Sequence, residues 1–335
     1  MNLLITGGCG FIGSNFIKYM LDNHQDCRIT NLDKLTYAGN PENLGDIEKS
    51  RNYQFMRGDI CDAGLVKRLM KDADAVINFA ASTHVDRSIK NSEEFIRTNV
   101  EGTCVLLDAA LQSNIKKFLQ ISTDEVYGSI LEGSFKETDS LHPNSPYAAS
   151  KASADLLAMS YFVTHGLPVV ITRTCNNFGP YQYPEKVIPL FITNLLEGKK
   201  VPLYGDGLNV REWIYVKDNC EAIDFILHNG KAGEIYNVGS GNEKTNLELT
   251  NLILNELIKD ERFIEFVPDR KGHDKRYALD CSKINDIGWK PEHDFRDALK
   301  KTIKWYKENE KWWRTGMARR QFSSGRITSE NYGKK

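Results

Sequence analysis

The sequence predicts an α/β fold, a doubly wound parallel sheet with a smaller mixed α/β domain toward the C-terminus. Three observations carry this. Apolar runs of strand length alternate with helical patterns from residue 2 to about residue 173. A glycine-rich turn, Gly7-Gly8-Cys9-Gly10-Phe11-Ile12-Gly13, separates the first run from the first helical pattern. The run at 117–121 ends in Ser122-Thr123-Asp124-Glu125, which sets polar groups at a strand's carboxyl edge, where open α/β sheets keep their chemistry.

Taken in order, strands are predicted at 2–6, 27–32, 53–57, 75–79, 117–121 and 169–173. Helical patterns fall at 63–70 and 95–113, and from Tyr147 to Phe162, where Gly166-Leu167-Pro168 stops the helix. Their alternation implies a parallel sheet with right-handed crossovers. Residues 176–184 are rich in amides, aromatics and prolines and read as loop. Beyond them lie a helix at 187–197, strands at 201–204 and 209–216, a helix at 216–228, a strand at 236–240, a helix at 247–258, and a structured stretch from 295 to 313. The division expected is a cofactor domain over 1–175, to which residues 210–235 return, and a mainly substrate-binding domain over 176–313. The basic tail 314–335 shows no periodicity and is expected to be irregular.

Composition excludes several classes. With 335 residues and 41% hydrophobic content the chain can bury a large core. A formal net charge of −1 and a pI near 6.7 give no electrostatic case for nucleic acid or an anionic membrane. Apolar runs are too short to span a membrane, and no signal peptide is read at the start. The 7 cysteines include no C-x-x-C pair, which fits reduced thiols in the cytoplasm and no metal centre.

Strand, glycine turn and helix form the context of a dinucleotide fingerprint, with the pyrophosphate on the helix N-terminus. Asp33 closes the second strand about twenty residues on, placed for an adenosine ribose. An acid there repels a 2′-phosphate, so NAD is favoured over NADP. Asp59 is placed for an adenine amine or, equally, for capping the helix behind it. Ala80-Ala81-Ser82 are small enough to let a cofactor lie along the backbone. His84 is as readily structural as substrate-binding. Tyr147 and Lys151 stand four apart, on one helical face, where an ammonium favours a phenolate. Thr123, Asp124, Glu125, Tyr147 and Lys151 are the candidate catalytic set. Lys186, Arg211, Arg270 and His273 come from separate segments; if they converge they form an anion site, and singly each is ordinary surface charge.

These motifs, with Arg211-Glu212-Trp213-Ile214-Tyr215-Val216 and the stretch 269–277, resemble the extended short-chain dehydrogenase/reductases. Within them they are similar to the dTDP-glucose 4,6-dehydratases, over residues 1 to about 313. The resemblance implies a Rossmann-like fold, tightly held NAD, a dTDP-glucose substrate, and oxidation at C4, loss of water across C5–C6 and hydride return to C6. By that resemblance Tyr147 and Thr123 serve the 4-hydroxyl, with the Tyr147 pKa lowered by Lys151, Glu125 removes the C5 proton, and Asp124 protonates the departing C6 hydroxyl. The cofactor is implied to lie against Gly7, Gly10, Phe11, Ile12, Gly13, Asp33, Lys34, Leu35, Thr36, Asp59, Ile60, Ala80, Ala81, Ser82, Thr98, Tyr147, Lys151 and Asn177. The substrate is implied to lie against His84, Thr123, Asn176, Lys186, Val187, Pro202, Tyr204, Arg211, Asn246, Arg270 and His273. A homodimer is implied as well, pairing helices near 103–112 and 150–162. Two other readings use the same fold: a UDP-sugar 4,6-dehydratase or sugar-nucleotide 4-epimerase, and a non-catalytic NAD-binding protein. Asp124-Glu125 argues against an epimerase, and the Thr123/Tyr147/Lys151 set against mere binding.

Overall fold

The computed structural model describes residues 1–270 and 272–323, with side chains described to residue 317. Among these, β1 (Asn2–Thr6), β2 (Arg28–Asp33), β3 (Tyr53–Arg57), β4 (Ala75–Asn78), β5 (Lys117–Thr123), β6 (Val169–Thr174) and a later strand at Ile235–Val238 form one sheet. Its order, by the first residue of each strand, is 235, 169, 117, 75, 2, 28, 53, and every pairing is parallel. The order reverses between β1 and β4, so a crevice opens at their carboxyl ends, where ligands bind in such sheets.

Helices cover both faces. On one lie α1 (Phe11–Asn23) and, much later, a helix at Val216–Asn229, packed on each other. On the other lie α2 (Ala63–Met70), a helix at Gly102–Leu111 and a long one at Pro146–His165. Between α2 and Gly102 come α3 (Val85–Lys90), α4 (Glu93–Phe95) and a π-helical segment, Ile96–Glu101. The helices at Gly102–Leu111 and Pro146–His165 are α5 and α6. The single helix expected over 95–113 is present from residue 93 to residue 111 with this wide π turn inside it, which carries Asn99 inward to 2% exposure. Apolar strand faces explain the layering: Leu3, Ile5 and Ile77 pack toward α1, while Leu4, Val76 and Phe118 pack toward α2, α5 and α6.

The second half builds two smaller sheets. The first joins β7 (Asn176–Phe178), β9 (Val210–Tyr215) and β11 (Glu243–Thr245); the second pairs β8 (Val201–Tyr204) in parallel with β12 (Ile264–Val267). The strand at 235–238 is β10. Helices α7 (Val187–Leu196), α8 (Val216–Asn229), α9 (Asn246–Glu256), α10 (Ser282–Asp286), α11 (Phe295–Glu308) and α12 (Glu310–Ser323) complete the chain. Of the stretch 210–235, α8 lies on α1, whereas β9 stays in the small sheet and β10 is the strand that joins the large one.

The expectation of an irregular tail from Arg314 is corrected as far as residue 323 by α12; residues 324–335 lie outside the described residues. The helix has a weak apolar stripe, but tertiary anchors hold it. Trp313 is 1% exposed and donates to the Tyr306 carbonyl at 3.0 Å, and Trp312 donates to Asn43 Oδ1 at 2.8 Å. No described helix is long and apolar enough to cross a membrane.

Candidate active site

The glycine turn is a backbone cradle. Gly7 has φ +71°, and a Cβ there would lie 2.6 Å from the Ala80 amide nitrogen. A Cβ on Gly13 would meet the Gly7 carbonyl at 2.6 Å. Gly10 caps α1 without a side chain, so the first amides of a 13-residue helix face the crevice, the arrangement that receives a phosphate. These features, with Asp33 at the end of β2, fit a dinucleotide. The Asp33 carboxylate accepts from Cys9 N at 2.9 Å and Leu35 N at 2.7 Å, which fixes the loop carrying Lys34, Leu35 and Thr36. Burial raises its pKa while those two amides hold it down.

Asp59 ion-pairs with Lys34 at 2.7 Å and lies 3.7 Å from Arg97. It does not cap α2; Asp62 does, accepting from Leu65 N at 3.0 Å. Ile60 is buried beside Gly102. Ser82 exchanges both backbone bonds with the Asn99 amide, which also donates to Ser150 Oγ at 2.8 Å. That amide ties the strand-end loop of Ala80, Ala81 and Ser82, and the π turn with Thr98, to α6. Asn177 lies on β7, its amide donating to Thr174 Oγ1 and the Cys175 carbonyl.

The catalytic candidates converge at the end of β5. Thr123 is the last residue of the strand and caps the 3-10 turn Asp124–Tyr127, with Oγ1 accepting from Glu125 N at 3.3 Å. It also hydrogen-bonds Tyr147 and lies 3.2 Å from Asp124 Oδ1. Ser145 caps α6 and Pro146 starts it, so Tyr147 emerges in the first turn, 8% exposed. Lys151 stands one turn on. Its ammonium donates to the Ile121 carbonyl at 2.5 Å. The expected Lys151-lowered phenol is therefore absent from this geometry: burial, Glu125 and Asp124 push Tyr147 well above its ordinary value. Burial takes Lys151 down to about 8, against the pull of Asp155.

The two adjacent acids sit in different fields. Burial raises both, but Asp124 faces the negative charges of Glu125 and Glu212 and is raised far above the carboxylate range. Glu125 faces Lys186, Arg270 and Arg211, each favouring its ionised form, with Asp274 opposing them; Arg211 acts on Asp124 as well. Glu212 is 2% exposed and held by the amides of Ser240, Gly241 and Leu279. Burial raises the thiols of Cys9, Cys27, Cys61, Cys175, Cys220 and Cys281, so none of these is primed as a nucleophile.

The cationic residues do converge. Lys186, the N-cap residue of α7, donates to the Thr83 carbonyl at 3.1 Å and precedes Val187. Arg211 on β9 donates to the Asp274 carbonyl at 2.9 Å and lies 4.2 Å over the Tyr277 ring. Arg270 lies 3.9 Å from Asp86, with its buried Nε unpaired. His273 meets Asp269 at 2.6 Å and Tyr204 edge-on at 6.2 Å, and burial with Arg270 and Arg211 lowers its pKa. Pro202 lies two residues before Tyr204 on β8, and Asn176 begins β7. Asn246 begins α9, and its backbone N–H donates to the Asn209 backbone carbonyl at 3.0 Å. His84 caps α3 and sits 3.8 Å from Glu185.

Sequence reading missed a second layer. Tyr37 hydrogen-bonds Thr83 and Glu185, and Arg87 stacks 3.8 Å over its ring while pairing with Glu185 at 3.2 Å. Nothing local links residues 37, 87 and 185. Asp155 was within reach, because 147, 151 and 155 share one helical face. A cavity of about 420 Å³ adjoins this layer, lined by Leu35, Thr36, Tyr37, Tyr181, Tyr183 and Trp312 among others.

Known proteins resemble the chain along most of its length. Residues 4–302 match the family model described as GDP-mannose 4,6 dehydratase. The low-salt glycan biosynthesis protein Agl12 of Haloferax volcanii is 56% identical over 91% of this chain and 98% of that protein. A dTDP-glucose 4,6-dehydratase of Streptomyces antibioticus is 54% identical over 93% of this chain and 94% of that protein. The crystal structure of DesIV, a dTDP-glucose 4,6-dehydratase from Streptomyces venezuelae with NAD and TYD bound, matches with a TM-score of 0.93. It is 50% identical and covers 94% of this chain and 100% of its own.

Proposed function

The chain belongs to the GDP-mannose 4,6 dehydratase family and, within it, to the dTDP-glucose 4,6-dehydratases, and from that premise we propose that it is an NAD-dependent lyase converting dTDP-glucose to dTDP-4-keto-6-deoxyglucose. The observation that carries this is the unequal field on two neighbouring buried acids: both are raised, but Asp124 faces Glu125 and Glu212 with Arg211 against them, whereas Glu125 faces Lys186, Arg270 and Arg211 with Asp274 against them. An elimination needs one protonated and one ionised carboxyl, and environments that separate a pair in this way assign the two roles.

In this reading the glycine cradle, Asp33 and the loop 34–36 hold NAD, which when bound accepts a hydride from C4 and returns it at C6. Tyr147 takes the proton of the sugar 4-hydroxyl, the positive nicotinamide of bound NAD offsetting the burial and acids that raise its phenol, and Thr123 hydrogen-bonds the same oxygen. Lys151 supplies positive charge one turn away. A 4-ketone acidifies C5–H; Glu125 takes that proton, Asp124 gives its own to the C6 hydroxyl as it leaves as water, and Glu125 hands its proton back to C5 when hydride returns at C6. Arg211, Arg270, Lys186 and His273 hold the diphosphate, with Arg suited to paired contacts. His84, Asn176, Val187, Pro202, Tyr204 and Asn246 line the rest of the substrate.

We assign residues 1–175, with β10 and α8, to cofactor binding and 176–313 mainly to substrate binding. The protein is further proposed to be a cytoplasmic homodimer. Free thiols at all 7 cysteines support the compartment. Leu111, Leu156 and Val163, exposed at 40%, 63% and 77% on α5 and α6, support the dimer. Sedimentation of Leu156→Glu checks the dimer, with a monomer expected.

Incubation with dTDP-glucose, read by mass spectrometry, should give a sugar nucleotide lighter by one water, with no net NAD consumed. Return of both dTDP-glucose and UDP-glucose unchanged would refute the dehydratase reading, and an isobaric product would replace it with epimerisation. Uracil differs from thymine by one methyl, a contact worth about 1–3 kcal/mol, so UDP-glucose should turn over more slowly.

A further inference from the structure

At the sheet edge opposite the catalytic residues, α1 and α8 end side by side, because both helices run back from the carboxyl edge of the strands. His24 is the C-cap residue of α1. Asp224 and His228 stand four apart on α8 and so share a face. Asp224 Oδ2 lies 2.9 Å from His24 Nε2, and Oδ1 lies 3.0 Å from His228 Nδ1. The two imidazoles stack, with centroids 5.2 Å apart and 21° between planes. One ligand atom from each of the three residues can be chosen so that all lie within 4.8 Å of one another.

We propose that His24, Asp224 and His228 form a binding site for a divalent transition metal such as Zn²⁺. Two imidazole nitrogens and one carboxylate oxygen are a donor set that suits zinc, with water completing the tetrahedron. The side chains of His24 and His228 are 32% and 44% exposed, which leaves an entry path and room for that water, while Asp224 is 14% exposed. Tyr19, whose hydroxyl lies 3.5 Å from Asp224 Oδ2, borders the site. A bound ion would staple the last turn of the first βαβ helix to the helix that leads into β10. Spacing searches for paired cysteines pass over this group, because two hundred residues separate His24 from Asp224.

The test uses the full chain without a polyhistidine tag, stripped with chelator and titrated separately with Zn²⁺ and Co²⁺. One equivalent should bind and raise the melting temperature. The cobalt spectrum should show nitrogen and oxygen ligation without a thiolate charge-transfer band. His24→Gln and His228→Gln should each weaken binding at least about tenfold, while turnover of the metal-free enzyme stays unchanged. Failure to bind one equivalent, a thiolate band, or binding that survives both substitutions would each overturn the proposal.

Discussion

Arg173 holds Asp155 through Nε at 2.9 Å, with side chains only 4% and 1% exposed, one helical turn beyond Lys151. Asp155 is thus the acid that opposes the burial of the Lys151 ammonium, and Arg173 and Lys151 together favour its charge. Asp155→Asn should let the Lys151 pKa fall further below about 8. The alkaline limb of the kcat–pH profile should then move to lower pH. Arg173 would be left buried without its partner, at a cost of about 3–5 kcal/mol in denaturant unfolding. A limb that stays in place would remove Asp155 from the support of Lys151.

The wild-type profile should be a bell. Its acid limb reports protonation of Glu125, which burial raises and the three cations lower. Its alkaline limb reports loss of the Lys151 proton near pH 8 or of the Asp124 proton. Because the acids are neighbours, the limbs belong to the coupled pair.

Glu125→Gln removes the base but leaves Tyr147, Thr123 and Lys151 in place. C4 oxidation should continue and reduced-nicotinamide absorbance should accumulate, while product formation falls about 10²–10⁴-fold. An unchanged turnover rate would take Glu125 out of the elimination.

Gly7→Ala combines a left-handed backbone with a Cβ 2.6 Å from Ala80 N. We expect loss of copurifying NAD and a stability cost of at least about 1–3 kcal/mol. Gly166→Ala is the control. Its φ is +68°, but nothing lies within 4 Å of the added carbon, so it should cost about 1–2 kcal/mol and leave the cofactor bound.

Arg211→Lys keeps the charge near Glu125 but loses the planar fork that bonds the Asp274 carbonyl and lies over Tyr277. Substrate KM should rise about tenfold, with a smaller fall in kcat. Equal falls in kcat and kcat/KM would instead place Arg211 in the transition state alone.

The sequence by itself determined the first six strands of the sheet and the glycine cradle, and it named the residues proposed here as the catalytic set. Strand and helix periods, glycine turns and caps act between near neighbours, and Thr123, Asp124 and Glu125 are adjacent while Tyr147 and Lys151 share one helical face. Tertiary structure alone decided that β10 closes the sheet beside β6, that Asp62 rather than Asp59 caps α2, that Trp312 and Trp313 hold the last helix, and that Lys151 turns toward Ile121. It also decided which of two neighbouring acids lies beside Glu212 and which beside Lys186, Arg211 and Arg270. Burial and Coulomb interaction depend on distance through space, and those partners lie from about sixty to one hundred and fifty residues away along the chain.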